Sequence, residues 1–244
     1  AKKIFGDFDV VLRNGLTMRV DPSEHIGSKL IRFGQYEPEN LALLAERLKP
    51  GDTFLDIGGH FGLFTIHGAS AVGPGGRVHV FEPGNRQRYF LNHNVTANGF
   101  TNVVINDFAL GDKPGTVVLR KGYVGNLGAS HIAPDGEGQS IRLSTLDLYT
   151  QEHGISRIDG LKMDVEGAEL LVLQGGSETF RRSPPGFVIF EAVDSLSRRY
   201  NYELKDLLNR FRELGYSLHC FQGRELRPID AVKDHGADLI ALRD

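Results

Sequence analysis

The chain has 244 residues, 40% of them apolar and 24% charged, and a formal net charge of -3. That composition belongs to a folded globular chain and lacks the basic stripe that nucleic-acid binding requires. A single cysteine, Cys220, leaves no internal disulfide and points to a reducing, cytoplasmic setting, and no apolar run approaches the ~20 residues of a membrane span.

Residues 8–20 read as a hairpin, with Asn14-Gly15 as a two-residue turn. A helix is expected from Asp21 as N-cap and Pro22 at its first position to a stop at Gly34. A second starts at Pro38 and carries Leu41, Leu44, Ala45 and Leu48 at helical spacing, ending before Pro50-Gly51. Residues 1–50 are thus expected to be an N-terminal hairpin and helices packing on a core of residues 51–244. From Thr53 the chain alternates: strand 53–57, helix 61–71, strand 77–82, helix 85–97, strand 102–108. A polar, Gly-rich stretch follows, in which 121–140 reads as a structureless loop. Strand 159–165, helix 167–173, strand 187–191 and helix 203–214 come next, and strands 216–221 and 237–242 finish the chain. This order predicts an α/β fold, a three-layer Rossmann-like sandwich around a mostly parallel seven-stranded sheet with an antiparallel closing strand.

The chemistry concentrates at Asp56-Ile57-Gly58-Gly59-His60-Phe61-Gly62, where an apolar run ends in an acid followed by three glycines. A second apolar run, Val78-His79-Val80-Phe81, also ends in an acid, Glu82. Two such strand ends side by side frame a nucleoside: the glycines admit the ligand to the backbone, and Glu82 can grip a ribose. A nicotinamide-dependent oxidoreductase competes with a methyl-donor enzyme at this point. His60 stands where a pyrophosphate contact needs the middle glycine, and Asp56 would repel a pyrophosphate while favouring a ligand that carries an amino group. The methyl-donor reading is preferred, with the oxidoreductase and a non-catalytic nucleoside-binding module as alternatives.

Several further segments, in order, resemble the FkbM-type family of class I S-adenosylmethionine-dependent methyltransferases. They are Tyr36-Glu37-Pro38, Val80-Phe81-Glu82-Pro83, Leu91 with Asn92 through Asn98, Ala109-Leu110-Gly111-Asp112, Ser144-Thr145-Leu146-Asp147 and Lys162-Met163-Asp164-Val165-Glu166-Gly167-Ala168-Glu169. The resemblance extends over roughly residues 30–244 and implies S-adenosylmethionine as cofactor. It implies that Glu82, followed by Pro83, accepts both ribose hydroxyls, and that the turn Gly58, Gly59, Phe61 and Gly62 meets the methionine part. Asp56 would lie near the cofactor's ammonium or organise the turn, and Glu37 would lie near the amino end. Asp107, Phe108 and Ala109 would meet the adenine. His60 departs from the small or amide residue expected there, which puts an imidazole near the substrate or the methionine tail.

Three acids are candidates for catalysis. Asp164 and Glu166 share a face of an extended strand, and Glu191 ends the next one. Neighbouring carboxylates can raise a pKa for base work on a hydroxyl or hold a divalent cation. No histidine joins them at ligand spacing, so no metal is favoured; Asp164 and Glu191 would be its ligands if one is required. Asn126, Ser130 and His131 in the Gly-rich stretch, together with His60, are candidates for touching the methyl acceptor. The expected reaction is O-methylation of a small-molecule hydroxyl, on a natural product or a sugar, by a protein with no nucleic-acid or membrane partner. Whether it forms a homo-oligomer is left open.

Overall fold

The computed structural model describes residues 6–122, 127–229 and 237–243. Strands β1 (Phe8–Val11) and β2 (Thr17–Val20) pair antiparallel, with Phe8 opposite Val20. The turn is longer than a two-residue one. The Leu12 carbonyl accepts from the Gly15 N–H, the Leu12 N–H donates to the Leu16 carbonyl, and of this turn only Gly15 has positive φ, 85°. A type I turn closed by one left-handed glycine sets the bend here.

Helix α1 (His25–Phe33) begins at His25 rather than Pro22. The Asp21 carboxylate that was expected to cap it instead accepts from the Ser23 N–H and hydroxyl and pairs with Arg86. Gly34 stops the helix in the left-handed conformation, and α2 (Pro38–Arg47) follows with its proline at the first position. The alternating part runs β3 (Thr53–Ile57), α3 (Leu63–Val72), β4 (Arg77–Phe81), α4 (Asn85–Ala97) and β5 (Val103–Asn106).

Where a loop was expected, the chain builds a second sheet. It contains β6 (Ala109–Leu110), β7 (Gly115–Arg120), β8 (His131–Ala133) and β9 (Gln139–Ser144), in the order β6-β9-β7-β8. Leu119, Ile141 and Leu143 are buried between exposed Arg120, Ser140 and Arg142, so only one face of this sheet meets the core. The chain continues through α5 (Leu146–Glu152), β10 (Gly160–Met163), α6 (Glu169–Gly175), α7 (Ser177–Arg182), β11 (Phe187–Ala192), α8 (Asp194–Ser197) and α9 (Leu204–Glu213). It ends in β12 (Ser217–Gln222), β13 (Glu225–Pro228) and β14 (Ala237–Leu242).

The main sheet has the order β13-β12-β14-β11-β10-β3-β4-β5, eight strands rather than seven. The five from β11 to β5 are parallel, and β14 runs antiparallel between β11 and β12. The additional strand is β13, a hairpin partner of β12 turned at Gly223. Side chains alternate between two buried faces, which makes the three layers. Leu55, Ile57, Leu161, Met163, Val188 and Phe190 face the core under α5, α6, α7 and α9. Phe54, Val78, Ile189 and Ile240 face α2 and α3. Among the described residues no helix is long and apolar enough to cross a membrane.

The chain moves outward from β3 to β5 and returns to β10 on the other side of β3. Strand order therefore reverses between β3 and β10, the position at which open α/β sheets leave a ligand crevice beyond their carboxyl ends.

Candidate active site

The glycine turn after β3 owes its composition mainly to close packing. Gly58 has φ 87°, and a Cβ on it would lie 1.9 Å from the Asp164 carbonyl, so glycine alone lets the β3 and β10 ends close together. A Cβ on Gly59 would lie 2.2 Å from Val80 Cγ2, and one on Gly62 would lie 2.6 Å from Leu91 Cδ1. Phe61 is 1% exposed and stacks on Phe90, ring centres 4.2 Å apart. Gly62 and the Phe61 ring thus belong to the packing of the turn on β4 and α4.

A cavity of about 290 Å³ opens over the strand ends. Glu82 reaches it from the end of β4 and is itself buried. Its Oε2 accepts from the His60 N–H at 2.9 Å and its Oε1 from the Gly84 N–H at 2.7 Å. Burial pushes its carboxyl up to about 7 against the pull of those two bonds. His60 takes the left-handed conformation, φ 48°, and stacks on Phe61. Both its ring nitrogens are buried without a partner among the described residues, and burial lowers its pKa to about 4, so the imidazole is neutral. Pro83 and Ala109 also line the cavity.

Two residues expected at the adenine do not reach this cavity. Asp107 is exposed and Phe108 is buried, packed edge-on against Phe81 with the Arg142 guanidinium 4.3 Å over its ring. The reason is that β5 ends at Asn106 and a new strand begins at Ala109, which breaks the alternation expected through residue 108. Ala109 and Leu110 form that wall instead.

Asp164, Glu166 and Glu191 come together, one carboxylate oxygen from each lying within 4.8 Å of the others. Strand β10 stops at Met163, so Glu166 reaches the cluster from a loop in the left-handed conformation, φ 56°, and not along an extended strand. Buried Glu169 holds that loop: its Oε1 accepts from the Val165 and Gly167 N–H groups at 3.1 and 3.3 Å. The Tyr202 hydroxyl donates to the Gly167 carbonyl at 2.6 Å. Burial, then the neighbouring Asp164, raises Glu166 to about 7. The same causes, with Glu166 added, push Glu191 up to about 9.

Behind this cluster lies a group of residues in which Glu37 and Asp56 were expected from the sequence but Lys162, Asn40 and Asp238 were not. Lys162, 4% exposed, donates from Nζ to Asp164 Oδ2 at 2.9 Å. It stands opposite Asp56 across the β10/β3 pair. Burial opposes its charge, but the Asp164, Glu37, Asp238 and Asp56 carboxylates outweigh this and hold its pKa above the ordinary lysine value. Asn40 Nδ2 bridges Glu37 Oε2 at 3.1 Å and Asp238 Oδ2 at 2.6 Å. Asp56 is buried, its Oδ2 accepting from the Thr65 hydroxyl at 2.6 Å while Oδ1 has no partner among the described residues. Lys162 had a signal, a lysine inside the apolar strand 159–165; Asp238 had only its place in the last strand.

On the far wall Ser130 lines the cavity and its hydroxyl accepts from the Gly122 N–H at 3.0 Å. His131 is not among the lining residues, because the strand it begins points its neighbours Ser130 and Ile132 inward. Asn126 lies outside the described residues.

The FkbM methyltransferase domain profile matches residues 56–218, about two thirds of the chain. This chain belongs to the FkbM methyltransferase family. It is accordingly an S-adenosylmethionine-dependent methyltransferase. No curated protein matches it. Among solved structures it is similar to the methyltransferase FkbM from Methylobacillus flagellatus, with 15% identity and a TM-score of 0.50 over 91% of this chain and 62% of that one. The chain therefore spans under two thirds of that FkbM protein. It is also similar to a putative rRNA-methylase from Clostridium thermocellum, with 12% identity and a TM-score of 0.53 over 84% and 93% of the two chains. At such identities the likeness is one of fold.

Proposed function

We propose that this FkbM methyltransferase moves the methyl group of S-adenosylmethionine to a hydroxyl of a small molecule held over the ends of β3, β10 and β11. The observation that carries the reading is the gathering of Asp164, Glu166 and Glu191 on one wall of a cavity whose opposite side holds Glu82. The residue set suits the donor. Each Glu82 oxygen accepts one backbone N–H and keeps a lone pair for a ribose hydroxyl. Pro83, Ala109 and Leu110 offer an apolar surface for the base, and Glu37, Asp56 and Asp164 offer negative charge to an ammonium.

The bound donor supplies an electrophilic methyl carbon on a sulfonium, so the protein has to align the acceptor oxygen and remove its proton. Glu166, with a pKa near neutrality, is the group best matched to take that proton. Glu191 carries a proton at neutral pH and can donate a hydrogen bond to the acceptor. Asp164 is oriented by Lys162. The spacing of the three acids would also suit a divalent cation. Base work is preferred because Lys162 already balances one of them and burial keeps a second protonated.

Calorimetry with S-adenosylmethionine and S-adenosylhomocysteine tests the donor site, and binding of neither would end the proposal. Turnover on a panel of hydroxylated small molecules tests the acceptor class. Turnover that EDTA abolishes and Mg²⁺ restores would reassign the acids to a cation.

A further inference from the structure

Three residues other than glycine around the site have left-handed backbones: Glu37 in a side pocket of about 40 Å³ that Lys162 also lines, His60 in the glycine turn, and Glu166. A glutamate in that conformation persists only where its surroundings enforce it. For Glu166 the enforcement comes from two directions. Glu169 holds the N–H groups on either side of it, at Val165 and Gly167. The rest comes from outside the loop, from the segment that follows β11. There the buried Tyr202 donates its hydroxyl to the Gly167 carbonyl at 2.6 Å. A Cβ on Gly167, φ 102°, would lie 2.4 Å from the Leu196 carbonyl, so the loop is pressed against α8. Arg199 Nη1 lies 3.9 Å from Glu166 Oε2.

That segment is itself fixed. Asp194 Oδ2 accepts from Arg198 Nε at 2.6 Å and Oδ1 from the Leu204 N–H at 3.1 Å, which closes the stretch 194–204. On either side of left-handed Asn201, φ 61°, the two tyrosines bond different partners. Tyr202 takes the Gly167 carbonyl, while the Tyr200 hydroxyl donates at 3.0 Å to the carbonyl of Ile132, on the cavity wall formed by the second sheet. We propose that Tyr202 and Arg199 are positioning residues for Glu166: Tyr202 fixes its backbone through the Gly167 carbonyl, and Arg199 steers its carboxylate from a turn that Tyr200 anchors to the opposite wall. The inference rests on Glu166 being the base, as proposed above. A tyrosine that only filled the core would act through its ring, and loss of its hydroxyl would leave Glu166 where it stands.

The test is ¹³C NMR on the whole free chain labelled at the glutamate carboxyl carbons, with the Glu166 resonance assigned by its absence in Glu166→Gln. Asp164, Glu191, Glu169 and Arg199 are the charged groups facing Glu166, so its titration midpoint reports where the carboxylate stands among them. In the wild type, burial and then Asp164 place that midpoint near 7. Tyr202→Phe frees the loop to relax toward water, and the midpoint should fall by about one pH unit or more. Arg199→Gln removes a cation and should raise it by about half a pH unit. The opposite signs separate positioning from a general loosening, which would lower the midpoint in both. An unchanged midpoint in Tyr202→Phe, or a lowered one in both variants, overturns the proposal. If Tyr202→Phe does not fold, the exposed Arg199→Gln decides alone, and an unchanged midpoint there overturns it. S-adenosylhomocysteine should bind both variants within about twofold of the wild type by calorimetry. Its failure to bind the wild type would end the donor reading, whereas the titration reports on the placement of Glu166 alone.

Discussion

Glu82 holds the glycine turn and faces the cavity with the same carboxylate, through the His60 and Gly84 N–H groups. Replacing it removes a ligand contact and leaves two backbone donors unpaired, so Glu82→Ala should weaken S-adenosylhomocysteine binding by tenfold or more by calorimetry. Glu166 sits at the other side with a pKa raised to about 7. A base must be deprotonated, so kcat/KM should rise with pH and level off above about 7. Glu166→Gln should remove that limb and most of the rate while leaving donor affinity within a few-fold; unchanged turnover in this variant would exclude Glu166 as the base. Backbone strain gathers at the same place. Glu37, His60 and Glu166 all have positive φ, and all three line the cavity or its side pocket. Such conformations persist only where surrounding bonds enforce them, as Glu169 does for Glu166.

At the level of elements, α4 treats β2 as though it were itself a strand. Asn94 accepts from the Arg19 N–H at 2.6 Å and donates to the Arg19 carbonyl at 3.3 Å. One helical turn on, Asn98 accepts from the Thr17 N–H at 2.8 Å and donates to the Thr17 carbonyl at 2.7 Å. Four helical residues rise about 6 Å and two strand residues about 7 Å, so the side-chain amides match the open edge of the hairpin. Asn94 also donates to the Phe61 carbonyl at 2.7 Å, which ties the hairpin to the glycine turn. Asn94→Ala should cost about 1–3 kcal/mol in chemical denaturation and open the β2 amides to hydrogen exchange. Gly59→Ala, which drives a methyl into Val80, should cost about 1–3 kcal/mol through overpacking. If Gly59→Ala unfolds like the wild type, the close approach of the turn to β4 has another cause.

Over the whole molecule the site works against stability, because it collects buried carboxylates. Glu82, Glu166 and Glu169 titrate near 7 and Glu191 near 9, all above an unfolded glutamate at 4.5. Between those values the folded chain binds more protons than the unfolded one, so stability falls as pH rises. Buried His60 and His79, lowered to about 4, have the opposite effect below their unfolded value of 6.5. Above pH 7 they are neutral in both states and drop out. The melting temperature of the free protein should therefore decline from pH 7 to 9, each proton released on unfolding being worth ~1.4 kcal/mol per pH unit. Glu191→Gln should flatten this slope; a melting temperature that rises over that interval would contradict the burial of these acids.

The sequence by itself determined the alternating core, the seven principal strands and the glycine turn after β3. Those features are written locally, in apolar runs of strand length, in glycines at a forced turn, and in acids at strand ends. Acids read at the ends of two strands pointed to Asp164, Glu166 and Glu191, and the fold brings them together. Three things depended on tertiary structure. The half-exposed strands of the second sheet bury one face only, so Gly-rich polar sequence conceals them, and the early end of β5 turns Phe108 into the core. The Lys162 pocket joins Glu37 and Asn40 to Asp238 across most of the chain. No local pattern encodes that meeting, since it exists only once β14 has inserted antiparallel beside β11 and paired Asp238 with Glu191.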